Sequence, residues 1–291
     1  MKEITARTLL GTVRQPDDWF GLRYNLNLYR GCQHQCIYCD SRSECYGIED
    51  FGEVLVKQNA VDLLRRELAG KRVRGTIGTG SMNDPYQPLE AEVGLTRRAL
   101  EVIAEFRFPV HVLTKSALVL RDTELIARIG RVYSAVSFTI TTPHDDLARK
   151  LEPGAPPPSE RFGAMRALAD AGILTGVLLM PVLPFIEDDP VDIELLVRRA
   201  AESGARYIIA SFGMTMRDRQ RAHYYAALDR LFPGLRGKYE RAFGERYSCP
   251  CRDARRLEQS FGKLCAGLGV ATRIPQYAAA GRRELNLFDS G

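Results

Sequence analysis

The sequence contains no apolar run that approaches the roughly 20 residues a membrane-spanning helix requires. Its opening residues, MKEITARTLL, also lack the apolar stretch of a secretory signal. These absences argue against a membrane protein and against secretion. We therefore expect a cytoplasmic protein without a membrane partner. The hydrophobic content of 45% in 291 residues is enough for one large core, or for one core with an appendage.

Disulfides are not expected, because the seven cysteines form an odd number and three of them crowd into residues 32–39. That spacing suits metal binding better than disulfide formation. Three further cysteines, Cys249, Cys251 and Cys265, match no known cluster spacing. We expect them to be ordinary buried or reactive thiols.

A strong excess of charge is also missing, since the net charge is only +5. The last quarter of the chain is nevertheless locally basic, through Arg217, Arg219, Arg221, Arg252, Arg255 and Arg256. Runs of this kind usually form the solvated faces of helices. The alternative is a contact with nucleic acid or another polyanion.

Six β-rich segments alternate with amphipathic segments, which predicts an α/β fold with a parallel sheet, either a barrel or an open layered sheet. The strands are expected over residues 24–29, 76–80, 110–114, 135–140, 174–181 and 206–212. In both architectures the functional loops follow the carboxyl ends of the strands. After Gly213 the alternation ends and polar helical segments follow. We therefore predict a core over residues 1–213 and a helical extension over residues 214–291.

The cysteines of residues 32–39 are spaced CxxxCxxC, so one tight loop can direct Cys32, Cys36 and Cys39 at a single metal centre. A structural zinc site and an electron-transfer 4Fe-4S cluster both require four ligands. Three thiolates would leave one iron of a 4Fe-4S cluster open to another ligand, which is an arrangement for chemistry. Zinc binding with His34, or a closed cluster with Cys45 as fourth ligand, are the alternatives.

This CxxxCxxC pattern, with an aromatic residue before its third cysteine and a strand ahead of it, resembles the radical S-adenosylmethionine (SAM) superfamily. The resemblance implies a partial (β/α)6 barrel, with a 4Fe-4S cluster and SAM as cofactors. It also implies an external reductant such as flavodoxin or ferredoxin, and a 5′-deoxyadenosyl radical that abstracts a hydrogen atom from a substrate.

The resemblance is to the branch that contains spore photoproduct lyase, and it covers about residues 20–212. It rests on NLYRGC at 27–32, SMNDPYQPLE at 81–90, LTKS at 113–116, TITT at 139–142, LEPG at 151–154 and MPVLP at 180–184. By this resemblance, the loop with Gly80, Ser81 and Asn83 binds the amino group of SAM, Lys115 contacts its carboxylate and Thr139 is a further SAM contact. The alternatives are a simple connecting turn, a surface lysine and ordinary β-branched packing.

Two pairs of charged residues allow more than one interpretation. Asp84 and Glu90 suggest paired carboxylates for acid–base chemistry, but Asp84-Pro85 is also typical of a turn in which the aspartate binds its own backbone. Glu152 and Arg161 are secondary SAM candidates, or an internal ion pair that closes their loop onto the next helix.

The sequence supports three functions: a radical SAM enzyme with lyase-like chemistry on an unknown substrate, a metal-stabilised nucleic-acid-binding protein, and a closed-cluster electron carrier. Only the radical SAM function gives a role to Lys115 and to the loop of residues 84–90.

One departure from the lyase limits the resemblance. Ser81 stands where the lyase has the cysteine that returns a hydrogen atom to its product. We therefore do not expect efficient repair of spore photoproduct.

Overall fold

The structure is a computed structural model that describes residues 2–15 and 19–278. Its strands are β1 Lys2–Ile4, β2 Leu10–Thr12, β3 Tyr24–Leu26, β4 Tyr29–Arg30, β5 Leu55–Lys57, β6 Ile77–Thr79, β7 Val110–Thr114, β8 Ser134–Thr139, β9 Leu174–Leu179, β10 Tyr207–Ala210, β11 Gly213–Thr215 and β12 Ser248–Pro250. Its α-helices are α1 Ala60–Ala69, α2 Glu90–Val93, α3 Leu95–Glu105, α4 Thr123–Gly130, α5 Asp145–Leu151, α6 Pro158–Asp170, α7 Pro190–Glu202, α8 Asp218–Leu231, α9 Leu235–Phe243 and α10 Ala254–Gly267.

The main sheet has the strand order β10-β9-β8-β7-β6-β3-β2. Every neighbouring pair from β3 to β10 is parallel, and only β2 runs antiparallel, at the β3 edge. Between successive parallel strands the chain passes through helices whose apolar sides are buried, as in α1, α3, α4 and α7. The predicted α/β fold, a partial barrel of six parallel strands, is confirmed.

The first predicted strand, over residues 24–29, is two strands. β3 joins the main sheet, whereas β4 pairs with β5 in a separate sheet of order β1-β5-β4. The break lies at Asn27, whose Oδ1 accepts a hydrogen bond from Met82 N at 3.3 Å and lies 3.3 Å from Ser81 Oγ. The chain therefore leaves the main sheet at the point where it meets the loop after β6.

The extension shares its hydrophobic cores with the barrel. Leu257, Phe261 and Cys265 of α10 belong to the main core, and Tyr224 and Tyr239 pack in a second cluster with Ile37 and Tyr38 of the cysteine loop. The division at residue 213 stays a prediction, and residues 279–291 of the predicted extension lie outside the described residues.

The interpretation of the basic run 217–221 as a solvated helix face is wrong for two of its arginines. Arg217 binds Asp40 at 2.6 Å, just beyond the cysteine loop. Arg221 is buried and donates to the carbonyl oxygens of Met216 and Arg246, each at 3.0 Å. These two charges serve internal contacts, whereas Arg252, Arg255 and Arg256 are exposed.

Of the helices in the described ranges, none combines the length and apolar character needed to cross a membrane.

The cysteine loop rests against the turn after α5. Ile37 N donates to Leu151 O at 2.9 Å, and Gly154 N donates to His34 O at 3.0 Å. A Cβ atom at Gly154 would lie 2.0 Å from Gln33 O. Because that neighbour is backbone, a side chain at Gly154 would have to displace the cysteine loop itself.

Gly154→Ala should therefore lower the free energy of unfolding by about 1–3 kcal/mol, the usual cost of overpacking, and reduce iron uptake during reconstitution. Urea denaturation and iron analysis measure both effects. The matched control is Gly163→Ala in α6, where nothing lies within 4 Å of the added Cβ. In a helix interior this control should be neutral or stabilising by about 0.5–1 kcal/mol. Equal stabilities of the two variants would contradict the close packing at Gly154.

Candidate functional site

A cavity of about 160 Å³ opens at the carboxyl ends of the parallel strands. Cys32, Cys36 and Cys39 line it on one side, together with the loop that follows β6 and the ends of β7 and β8. The tight turn of the cysteine loop uses two residues with positive φ, Gly31 at 86° and Gln35 at 52°. A Cβ at Gly31 would lie 2.7 Å from Glu53 O, so glycine is required there.

Each of the eight residues predicted from the sequence for the cluster and for SAM lines this cavity: Cys32, Cys36, Cys39, Gly80, Ser81, Asn83, Lys115 and Thr139. The structure therefore brings together residues as far apart in the chain as Cys32 and Thr139. It adds residues to which sequence reasoning gave no role in SAM binding: His34, Ser41, Met82, Asp84, Leu113 and Thr114.

The loop after β6 is held close to the neighbouring strand. Gly80 has a φ of 87°, and a Cβ there would lie 2.3 Å from Leu113 O, so only glycine fits. Asn83 donates from Nδ2 to Tyr29 O at 2.8 Å, and Ser81 Oγ donates to Asn25 Oδ1 at 2.9 Å. These bonds fix the position of both polar side chains at the edge of the cavity.

Lys115 follows the last residue of β7, and its side chain is only 16% exposed. Its Nζ lies 3.7 Å from Glu152 Oε1 and 5.9 Å from the centroid of the Tyr38 ring. Burial alone would lower the pKa of Lys115, but the negative charges of Cys36 and Glu152 outweigh burial and raise it. The raised pKa keeps Lys115 positively charged, and the small exposure of its side chain rules out the alternative of a surface lysine.

Asp84 fixes the backbone of Lys115. Its Oδ2 accepts from Lys115 N at 2.6 Å, and its Oδ1 accepts from Thr114 Oγ1 at 2.7 Å and from Tyr86 N at 2.8 Å. Burial would raise the pKa of Asp84, but the nearby His34 and these hydrogen bonds lower it to about 2. The expected turn at Asp84-Pro85 is confirmed by the bond to Tyr86 N, and the second bond partner, Lys115 N, was not foreseen.

Glu90 does not form an acid–base pair with Asp84. It is fully buried and accepts from the Tyr29 hydroxyl, from Thr96 N at 2.9 Å and from Arg121 at 2.6 Å. Since its oxygens are occupied by structural partners, Glu90 has no free oxygen with which to exchange a proton.

Glu152 and Arg161 form the predicted internal ion pair, at 2.5 Å, with both side chains 1% exposed. Arg161 also donates to Thr139 O at 2.9 Å, which anchors the end of β8 at the cavity. Sequence reasoning missed two further partners of Glu152, Lys115 and the Tyr38 hydroxyl. Burial would raise the pKa of Glu152, but Arg161 and Lys115 outweigh it and keep the carboxyl ionised.

The thiols fit a 4Fe-4S cluster better than a single ion. Burial raises the pKa of Cys32 to about 12 and also raises those of Cys36 and Cys39, so the thiolates require strong positive charge nearby. Within the described ranges, no group of three or more His, Cys, Asp or Glu side chains is arranged to hold one metal ion. A 4Fe-4S cluster would instead take each thiolate on a different iron, so the three sulfurs need not converge on one point.

Cys45, the alternative fourth ligand, is exposed and does not line the cavity. Cys249, Cys251 and Cys265 are buried free cysteines, as expected for ordinary thiols. Cys249 packs in the second hydrophobic cluster, and Cys251 and Cys265 in the main core.

Comparison with known sequences gives a family match and several relatives. The family model of the radical SAM superfamily matches residues 26–200. An uncharacterized protein of Mycobacterium tuberculosis is 33% identical over 231 residues, which cover 76% of this chain and 67% of the relative. An uncharacterized protein of Methanocaldococcus jannaschii is 34% identical over 180 residues, covering 61% and 65%. A radical SAM Nalpha-GlyT isomerase of a Pseudomonas phage is 26% identical over 181 residues, covering 62% and 37%.

Solved structures with the same fold include spore photoproduct lyase complexed with dinucleoside spore photoproduct. The two structures superpose with a TM-score of 0.70 at 16% identity, over 92% of this chain and 80% of the lyase. A radical SAM methyltransferase from Kitasatospora setae with cobalamin and a 4Fe-4S cluster bound has a TM-score of 0.55 at 13% identity, over 83% of this chain and 52% of the methyltransferase.

Proposed function

Because this chain belongs to the radical SAM superfamily, we propose that it binds a 4Fe-4S cluster through Cys32, Cys36 and Cys39 and cleaves SAM reductively. The predictions that the protein is an enzyme and that its cofactors are a 4Fe-4S cluster and SAM are confirmed at the level of the family. The observation that supports the residue assignments is the single cavity that all eight of them line.

When bound, the cluster and SAM would supply a 5′-deoxyadenosyl radical able to abstract a hydrogen atom from a substrate. The protein contributes three thiolates, which leaves one iron of the cluster without a protein ligand. Lys115 provides a fixed positive charge for the carboxylate of SAM. Gly80 lets the amino group approach the backbone, and Asn83 and Ser81 offer polar contacts at the same loop. Thr139, held through its carbonyl by Arg161, completes the SAM contacts.

We propose a lyase-like reaction on a substrate that neither the sequence nor the cavity identifies. One similar protein is named a lyase and another an isomerase, so the two names describe different changes to the substrate. Hydrogen abstraction is the step that we assign to this chain. An external reductant such as flavodoxin or ferredoxin would supply the electron. Nucleic acid remains the alternative partner that the basic sequence raised.

Anaerobic reconstitution with iron and sulfide, followed by electron paramagnetic resonance, tests the proposal. The signal of the reduced cluster should change when SAM is added, and 5′-deoxyadenosine should form. A signal that SAM leaves unchanged would favour the closed-cluster electron carrier. Zinc as the sole bound metal would favour the metal-stabilised nucleic-acid-binding protein.

Replacing Cys32, Cys36 or Cys39 singly with Ala should abolish formation of 5′-deoxyadenosine, because two thiolates do not hold the cluster in place. Iron analysis and the visible absorption of the reconstituted protein measure cluster content alongside activity. Cys45→Ala is the matched control and should keep both, since Cys45 is exposed and lies outside the cavity. Loss of iron in Cys45→Ala as complete as in Cys36→Ala would refute the three-ligand assignment.

Lys115→Ala should weaken SAM binding by about 1–3 kcal/mol, the usual contribution of a charge-assisted hydrogen bond, without changing iron content. Equilibrium binding of SAM to the reconstituted protein measures the effect. Lys263→Ala, which removes an exposed lysine of α10, is the control and should bind SAM like the unmodified protein. Equal SAM affinity of the two variants would remove Lys115 from the site.

The protein should not convert spore photoproduct to thymidines in repeated turnovers. Of the described residues that line the cavity, only the three proposed cluster ligands carry a thiol. By the sequence resemblance, Ser81 stands where the lyase has its hydrogen donor. The O–H bond of serine is too strong to return a hydrogen atom. Incubation with dinucleoside spore photoproduct, with SAM cleavage followed in parallel, tests this. Repeated thymidine release would make repair the leading assignment.

A further inference from the structure

A second cleft, of about 480 Å³, lies at the opposite end of the barrel from the SAM cavity. We call this end the barrel base; it comprises residues 71–76, 106–109 and 131–133, which precede β6, β7 and β8. Four arginines line the cleft, Arg74, Arg107, Arg128 and Arg131, around apolar contacts that include Phe108 and Ile129. We call these arginines the base arginines.

The base arginines are exposed, and none of the ion pairs within 4.0 Å in the described part of the chain involves any of them. Other surface arginines do have acidic partners. Arg65 binds Glu105 at 2.5 Å, and Arg198 binds Glu194 at 2.7 Å. Four unpaired guanidinium groups around one cleft create a concentrated positive potential, which favours an anionic ligand.

Helix dipoles explain part of this arrangement but not all of it. Arg128 lies in the last turn of α4 and Arg131 caps it, so both complement the negative end of that helix. Arg74 stands in the segment before β6, outside any helix. Arg107 follows the end of α3 with a φ of 54°, a position where glycine is the usual residue. An arginine there costs about 1–2 kcal/mol in backbone energy, which points to a use for its side chain.

The cleft has the chemistry of a phosphate-chain site. Guanidinium groups bind phosphate oxygens in a bidentate manner. The base arginines come from three separate segments around one cleft, so they suit successive phosphates better than a single one. An adjoining cleft of about 510 Å³ shares Arg74 and adds Arg23, which lengthens the positive path.

We propose that the barrel base binds the phosphate backbone of a nucleic acid. Contacts of this kind give affinity without reading base sequence. The site is separate from the SAM cavity, since it lies at the amino ends of the same strands, and the proposal does not depend on the radical chemistry. The sequence suggested a different basic surface, formed by the arginines of the extension.

Fluorescence anisotropy tests the proposal on the full chain, with a labelled DNA duplex of about 20 base pairs and a series of salt concentrations. In a plot of the logarithm of the binding constant against the logarithm of the salt concentration, each phosphate contact should contribute a slope of about −0.9. The variant Arg107→Glu with Arg131→Glu should bind at least about tenfold more weakly, with a slope shallower by about 2. The uncharged variant Arg107→Gln with Arg131→Gln should show the same direction with a smaller loss of affinity.

The matched control is Arg255→Glu with Arg256→Glu on α10, where both arginines are exposed. It carries the same change of charge and should change duplex affinity less than about threefold. Three results would overturn the proposal. The first is that the unmodified protein does not bind the duplex, and the second is that the control loses as much affinity as the Arg107 and Arg131 variant. The third is that the unmodified protein binds polyaspartate of the same length as tightly as it binds the duplex. Formation of 5′-deoxyadenosine should be equal in all variants, so failure of the radical chemistry and failure of this site give different results.

Discussion

The buried carboxylate of Glu152 connects three of the segments that build the cavity proposed for SAM. It accepts from Tyr38 of the cysteine loop, pairs with Arg161 of α6 at 2.5 Å, and lies 3.7 Å from Lys115 at the end of β7. Arg161 in turn holds Thr139 O at the end of β8. Sheet pairing sets the ends of β7 and β8 side by side, and this one charged group ties the cysteine loop to both of them.

Such a network is costly to bury, since each ion loses its hydration, and an apolar replacement of the whole set is often as stable. What the network contributes here is the orientation of the side chains and the positive charge of Lys115. Glu152 and Arg161 neutralise each other, while Lys115 retains a positive charge that faces the thiols. Opposite charge nearby favours the thiolate form that metal binding requires. Both proposed roles of this lysine, beside the cluster and at the carboxylate of SAM, use the same positive charge.

Local patterns in the sequence predicted the parallel sheet, the cysteine loop and the residues at the strand ends. The reason is that strand ends in a parallel sheet meet at one edge, so Gly80, Lys115 and Thr139 had to come together. Contacts set by tertiary packing were not predictable. The bond from Lys115 N to Asp84 and the ion pair of Arg217 with Asp40 join segments with no sequence signal for each other. The split of the first strand at Asn27 depends on Ser81 and Met82 in the same way.

Charge patterns in the sequence also fail to show which charged residues meet in the fold. The run from Arg217 to Arg221 is conspicuous in the sequence, yet the fold uses Arg221 to hold backbone carbonyls and Arg217 to hold Asp40. Arg74, Arg107 and Arg131 are inconspicuous, because about one strand–helix unit separates each from the next. Since all three precede neighbouring strands of a parallel sheet, the fold places them together at the barrel base. In a repeating strand–helix fold, charges spaced by the repeat therefore build a common surface more readily than charges adjacent in the chain.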